Sequence, residues 1–146
     1  MTDHMAAWQG ALAAEQQAAF GYPVLGPKLT TRDQTLARTC QAEHERLRDE
    51  TAAAIAAAGG TPRPPQADYP ALYPLAADPR GLAATLEDDC AAAWRAFFAA
   101  LATPDGPAAL RRQAQDVLTA SAVRATRWRM RAHVAKPVTA FPGIPR

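Results

Sequence analysis

Residues 59–77, GGTPRPPQADYPALYPLAA, decide the fold of this chain. The prolines in this segment exclude a continuous helix, and an extended polyproline-like chain rises ~3.1 Å per residue, so roughly 19 residues reach nearly ~60 Å. A helix of ~27 residues is only ~40 Å long, so the segment can cross the whole length of a helical bundle. The alternative is a disordered linker between two loose hairpins. An ordered crossover is favoured by apolar residues that we interpret as anchors: Tyr69, Leu72, Tyr73 and Leu75.

Helical patterns flank this crossover on both sides. Apolar residues recur every three or four positions, which predicts helices over about residues 3–25, 31–58, 79–102 and 107–134. Links of about four residues join the first helix to the second and the third to the fourth, so each pair is expected to form an antiparallel hairpin. Two hairpins joined by one long crossover predict an all-α, ferritin-like four-helix bundle, with residues 1–146 as a single domain. The proline-rich end, residues 137–146, predicts an extended strap anchored by Phe141.

Composition excludes several classes of protein. Hydrophobic residues make up 49% of the chain and charged residues 21%, which is not the composition of a disordered protein. No apolar run reaches the roughly 18 residues of a membrane span. The first residues contain no basic region followed by an apolar run, so the sequence shows no secretory signal. We therefore expect a cytoplasmic protein that does not contact a membrane.

Each predicted helix carries one ionisable residue on its apolar stripe, at roughly mid-height. These residues are Glu15, His44, Glu87 and Arg124. Burying an unpaired charge costs several kcal/mol, so the four side chains are expected to contact one another or a metal ion. On the third helix a small rotation would bring Asp88 or Asp89 inward in place of Glu87.

The spacing of these residues only half fits a di-metal centre. Ferritin-like di-metal sites use a glutamate from each of two helices and a Glu-x-x-His pair from each of the other two. Here Gln41 precedes His44 by three residues, and the fourth helix has Ser121 and Arg124 instead. Because arginine is permanently cationic, we favour a metal-free network in which its guanidinium replaces the metals and bonds both glutamates. Two alternatives stay open: a single iron or manganese ion held by Glu15, His44 and Glu87, or a site in which some of these groups face solvent.

Several runs of residues are spread over nearly the whole chain: AAEQQAAFGY at 13–22, EHERLRD at 43–49, LEDDCA at 86–91, RATRWR at 124–129 and VTAFPG at 138–143. Together they resemble an uncharacterised ferritin-like family of actinobacteria that carries a domain-of-unknown-function label. The tail PVTAFPG is the most specific part of this resemblance. The resemblance implies a four-helix ferritin-like bundle, a dimer, and a metal-carboxylate pattern with incomplete ligands. It implies no established reaction and no catalytic residue.

The fourth helix is strongly basic and bears on possible partners. Arg124, Arg127 and Arg131 share one face, with Trp128 adjacent, and such a face could contact the phosphates and a base of a nucleic acid. Arginines near a helix C-terminus are also favoured by the helix dipole, and the sequence contains no nucleic-acid-binding motif. Nucleic-acid binding is therefore the second alternative, behind a metal-binding ferritin-like oxidase.

Broad alanine surfaces on the first and third helices predict a side-by-side homodimer. Trp8, Trp94 and Phe98 add to this expectation, because together they exceed what one small core is expected to hold. No phosphate-binding loop or catalytic triad is present, and no small-molecule ligand is indicated. The sequence therefore predicts a structural or binding role rather than an enzyme.

Overall fold

A computed structural model of the protein describes residues 3–144. This part of the chain is all-α: it contains helices and the segments that join them, and no strand. The helices are α1 (Asp3–Leu25), α2 (Thr31–Ala57), α3 (Leu72–Leu75), α4 (Pro79–Ala100) and α5 (Ala108–Arg131). The four long helices lie close to their predicted positions, whereas the short α3 falls inside the crossover, where only extended chain was expected. In this part of the chain no helix is both long and apolar enough to cross a bilayer.

The helix ends follow local chemistry. α4 begins at Pro79, and the carboxylate of the preceding Asp78 accepts a hydrogen bond from the Gly81 amide at 3.1 Å. α5 ends earlier than predicted, at Arg131, because His133 adopts a φ of 58°. A left-handed residue just beyond a helix is a common way to terminate it.

The long helices run up, down, down and up. α1 packs against α2 and α4, and α4 packs against α5. Near the start of α2, the Asp33 carboxylate accepts hydrogen bonds from Arg80 at the start of α4 and from Arg131 at the end of α5. The starts of α2 and α4 therefore lie at the same end of the bundle, and the chain between them must return along its full length.

Side chains of α1 hold the crossover in place through hydrogen bonds to the backbone of the crossover. Gln9 donates to the Thr61 carbonyl at 2.7 Å and accepts from the Arg63 amide at 2.9 Å. Gln16 donates to the Arg63 carbonyl at 2.8 Å. The segment is thus packed on the bundle and is not a disordered linker.

Two of the expected apolar anchors of the crossover are buried, and two are not. Tyr69 and Leu72 are buried, and the Tyr69 ring lies 5.0 Å from that of Phe20. Leu75 is 52% exposed, so the prediction that it is an anchor was wrong. Tyr73 is 47% exposed, but its ring still packs edge-on against Phe20, with ring centroids 6.4 Å apart.

The C-terminal strap lies on the bundle without an aromatic anchor. Phe141 is 67% exposed, so the prediction that it anchors the strap was wrong. Arg129 Nε instead donates to the Pro137 carbonyl at 2.5 Å. Gly143 has a φ of 82°, and a Cβ built there would lie 2.8 Å from Arg95 Cβ, so the strap approaches α4 where only glycine fits. The predicted strap also includes residues 145 and 146, which lie outside the described part of the chain.

The large aromatic residues fit into one core. Trp8 stacks on Phe97 with ring centroids 5.2 Å apart, and Trp94 meets the same ring at 5.9 Å. Trp8 and Trp94 are buried, and Phe98 is partly buried against the same core. The expectation that these rings are too large for the core of one chain was therefore wrong. The homodimer stays a prediction that rests on the alanine surfaces alone.

We expect Asp33→Ala to lower the free energy of unfolding by about 1–3 kcal/mol, because it removes charge-assisted hydrogen bonds that join three helix ends. The loss is limited because Arg80 and Arg131 are each about one-third exposed, so water replaces part of the lost contact. Urea denaturation measures the effect. Asp116→Ala, which removes an exposed carboxylate from α5, is the matched control. Equal stability of the two variants would contradict a clamping role for Asp33.

Candidate functional site

The four long helices each contribute one ionisable side chain to a single buried cluster. Its members are Glu15 from α1, His44 from α2, Glu87 from α4 and Arg124 from α5. The first three are fully buried, and the side chain of Arg124 is 11% exposed. The structure thus brings together all the residues that the sequence pattern singled out.

His44 lies between the two carboxylates. Its Nδ1 is 2.5 Å from Glu15 Oε2, and its Nε2 is 2.8 Å from Glu87 Oε1. Burial by itself lowers the pKa of His44, but the hydrogen bonds to the two glutamates outweigh burial and raise the pKa from 6.5 to about 9. At neutral pH the ring is therefore an imidazolium that donates both N–H groups to carboxylates.

Glu87 is the most connected member of the cluster. Besides His44, it accepts hydrogen bonds from Arg124 Nε at 2.9 Å and from the Tyr22 hydroxyl at 2.7 Å. Burial raises the pKa of Glu87, but the contacts with His44 and Arg124 outweigh it and leave the pKa below its ordinary value. Glu87 is therefore ionised.

The neighbouring carboxylates do not compete for this position. Asp88 and Asp89 are exposed, and Asp88 forms an ion pair with Arg129 at 2.8 Å. The alternative in which either aspartate replaces Glu87 on the inward face is therefore wrong.

Arg124 contacts one glutamate rather than two. Its Nε donates to Glu87, and its Nη2 donates to the Ser121 hydroxyl at 3.1 Å. The second hydrogen bond predicted for this guanidinium, to Glu15, is not formed. Glu15 is instead satisfied by His44 and by Trp94, whose Nε1 donates at 2.7 Å.

Aromatic residues also hold the cluster in place. Trp94 on α4 bonds Glu15 on α1, and Tyr22 on α1 bonds Glu87 on α4. Each aromatic residue follows the glutamate of its own helix by seven positions, so two antiparallel helices place it opposite the other glutamate. Trp128 Nε1 extends the network by donating to the Tyr22 hydroxyl at 2.9 Å. The seven-residue spacing was a usable signal that the sequence analysis missed.

The donor set does not fit a di-metal centre. Among residues 3–144 the cluster offers two carboxylates and one imidazole, all bonded to other protein groups. Gln41, the residue in the position of a ligating glutamate, donates instead to Glu45 at 2.9 Å. The negative charges of the two glutamates are already balanced by the His44 and Arg124 cations, so two metal ions would bring a large uncompensated charge.

A single metal ion in this cluster would have different ligands from the predicted set of Glu15, His44 and Glu87. Glu15 and Glu87 bond opposite nitrogens of the His44 ring, so no single ion can contact both carboxylates and one ring nitrogen together. Ligand atoms of Glu15, His44 and Cys90 do lie within 4.8 Å of one another. Burial raises the pKa of Cys90 well above its ordinary value, so a metal ion bound there would have to displace the proton of this thiol.

Two of the three arginines on the predicted basic face of α5 form ion pairs within the chain. Arg124 bonds Glu87 and Arg131 bonds Asp33, whereas Arg127, the third arginine of the predicted face, is exposed and has no carboxylate partner in the described part of the chain. Trp128, which was expected beside these arginines as a stacking platform for a base, is fully buried. The surface features on which nucleic-acid binding was based are therefore largely absent from the described residues.

These features define an all-helical bundle protein with a charge-balanced polar cluster at its centre. The chain belongs to the family described as a domain of unknown function (DUF4439), whose model matches residues 7–146. It is also similar to a solved structure, that of the conserved hypothetical protein rv2844 from Mycobacterium tuberculosis. The two are 32% identical, the match covers 96% of this chain and 97% of that chain, and the TM-score is 0.81. No curated protein matches the sequence.

Proposed function

We propose that the protein is a ferritin-like four-helix bundle without a working di-metal centre, and that its role is structural or binding rather than catalytic. The up, down, down, up order of the helices and the long crossover support the ferritin-like assignment. The observation that carries the loss of the metal centre is that both nitrogens of His44 are already bonded to Glu15 and Glu87.

Electrostatics supports this proposal. A divalent ion at the cluster would have to displace the proton of His44 or the guanidinium of Arg124. Arg124 reaches Glu87 from a helix position where a ferritin-like site places a histidine ligand, and arginine does not lose its charge in proteins. The protein cations thus do what the metal ions do elsewhere, which is to neutralise buried carboxylates.

Metal analysis tests this proposal. We expect protein purified without a chelator to contain far less than one iron or manganese ion per chain by inductively coupled plasma mass spectrometry. We also expect the melting temperature to be unchanged by Mn²⁺ or EDTA, because a ligand that does not bind the folded state cannot stabilise it. A near-stoichiometric metal content that raises the melting temperature would overturn the proposal.

A metal-binding ferritin-like oxidase is the second candidate. It is supported by the approach of Glu15, His44 and Cys90, which carry three types of ligand that transition metals accept. Cys90→Ser distinguishes the two readings of this trio: if a metal is bound there, the variant loses it, and if the residues are only packed together, the metal content of both proteins is equally low.

The homodimer and the cytoplasmic location predicted from the sequence stay predictions. The alanine-rich faces of α1 and α4 are the surfaces on which the dimer is expected, and light scattering during size-exclusion chromatography measures its mass directly.

A further inference from the structure

A groove separates α2 from α5. The helix pairs α1–α2, α1–α4 and α4–α5 pack closely, but the backbones of α2 and α5 do not. The resulting groove is open to solvent and has a volume of about 850 Å³, which is within the range of small-molecule sites. Its apolar lining consists of Ala42, Ala120 and Val123, and the valine is 47% exposed. Small side chains thus leave the groove open instead of filling it.

Arginines surround this apolar lining. Arg38 and Arg127 lie at the groove and have no carboxylate partner among residues 3–144. Arg46 is different, because Glu43 neutralises it at 2.6 Å. At the base of the groove, Nε and Nη2 of Arg124 are used by Glu87 and Ser121, whereas its Nη1 has no hydrogen-bond partner in the described part of the chain. The groove therefore combines guanidinium groups that lack a carboxylate partner with exposed apolar surface; only a long hydrogen bond of 3.5 Å joins Arg38 to the Thr35 hydroxyl.

We propose that this groove binds a small carboxylate that carries a short apolar body. Arginine presents paired N–H groups that match a carboxylate, so Arg124 Nη1 and the side chains of Arg38 and Arg127 bind the charged end. The apolar body covers Val123 and the alanines, and removing that surface from water favours binding. The inference deepens the binding role proposed above and rests on it.

Charge argues against a second copy of the chain as the occupant. A two-fold dimer through this face would be isologous and would place the arginines of one copy against those of the other. The groove contains one carboxylate, Glu43, and that carboxylate is already paired with Arg46. Such a contact would therefore bring like charges together, and like charges across an interface oppose association.

Calorimetric titration of the full chain tests the proposal with three probes. Octanoate has both a carboxylate and an apolar body, 1-octanol has only the apolar body, and inorganic phosphate has only the charge. We expect octanoate to bind at least about tenfold more tightly than either of the others, because one charge-assisted hydrogen bond or a few buried methylene groups each contribute about that factor. Equal binding of octanoate and phosphate, or no octanoate binding at millimolar concentration, would overturn the proposal.

Variants locate the site. Arg38→Ala and Arg127→Ala are each expected to weaken octanoate binding by about five- to tenfold while leaving the melting temperature unchanged, since both side chains are exposed. Arg112→Ala removes the same charge from the same helix several turns away and is expected to leave the affinity unchanged. An equal loss in Arg112→Ala would show binding to net charge only. Retention on heparin that is lost in Arg127→Ala, without octanoate binding, would assign the groove to a polyanion and reject the carboxylate. The metal content is measured separately, so failure here is distinct from failure of the metal-free proposal.

Discussion

His44→Ala is expected to lower the free energy of unfolding by about 3–5 kcal/mol, the usual cost of removing one partner from a buried ion pair. The substitution leaves Glu15 without its cation and removes one of the two cations that face Glu87. The void left by the imidazole adds to the loss, because the surrounding helices collapse only partly. Urea denaturation followed by circular dichroism measures the change.

Arg46→Ala is the matched control for this variant. It lies on the same helix and removes a cation that contacts two carboxylates, Glu43 and Glu50, but all three side chains are at least one-third exposed. Exposed ion pairs contribute about 0–1 kcal/mol, so this variant should be nearly as stable as the parent protein. If His44→Ala lost no more stability than Arg46→Ala, the cluster would not be a buried, mutually neutralised unit.

The same contacts give stability a defined pH dependence. The pKa of His44 is raised in the folded state from 6.5 to about 9. Its stabilising contribution is therefore complete below pH 6.5 and is lost as the pH rises towards about 9, because the unfolded chain gives up this proton first. The parent protein should thus lose stability across this window, and the slope should be smaller in His44→Ala.

Glu87→Ala is expected to be at least as destabilising, again by about 3–5 kcal/mol, because it leaves two buried or nearly buried cations facing each other. His44 and Arg124 both lose their shared carboxylate, and the Tyr22 hydroxyl loses its acceptor. Urea denaturation at neutral pH measures the effect.

Asp89→Ala serves as the control, since it removes an exposed carboxylate from the same helix. Although the Asp89 side chain is largely exposed, partial desolvation and the neighbouring Asp88 charge raise its pKa, so its ionised form is not stabilised by folding and removing this group should cost little. A double-mutant cycle of Glu87→Ala with Arg124→Ala supplies a second test. The two losses should be less than additive by about 1–3 kcal/mol, since the double variant no longer leaves an unpaired guanidinium. Strict additivity would contradict the direct ion pair.

The sequence was sufficient to predict the four ionisable residues that meet in the core. Periodicity placed Glu15, His44, Glu87 and Arg124 on apolar stripes, and the cost of burying charge required them to meet. The path of the crossover could also be predicted from the sequence. Its prolines limit it to extended chain or short turns, and its length allows it to span the bundle.

Individual hydrogen-bond partners could not be read in the same way. They depend on the relative height and rotation of the helices, which a period of 3.6 residues does not contain. Arg124 was therefore assigned both glutamates, although Glu15 is closer to Trp94 and His44. The exposure of Phe141 was missed for a related reason: proline shows that a strap is extended, but not which of its side chains the underlying helix can accept.

The attachment of the crossover has a consequence for how related sequences can diverge. Gln9 and Gln16 bond the main-chain atoms of residues 61 and 63, not their side chains. Many residues can therefore stand at those two positions, except that proline at 63 would remove the amide that Gln9 accepts from, while the glutamines themselves are constrained. Among related sequences we therefore expect residues 61 and 63 of the crossover to vary and the two glutamines of α1 to be retained.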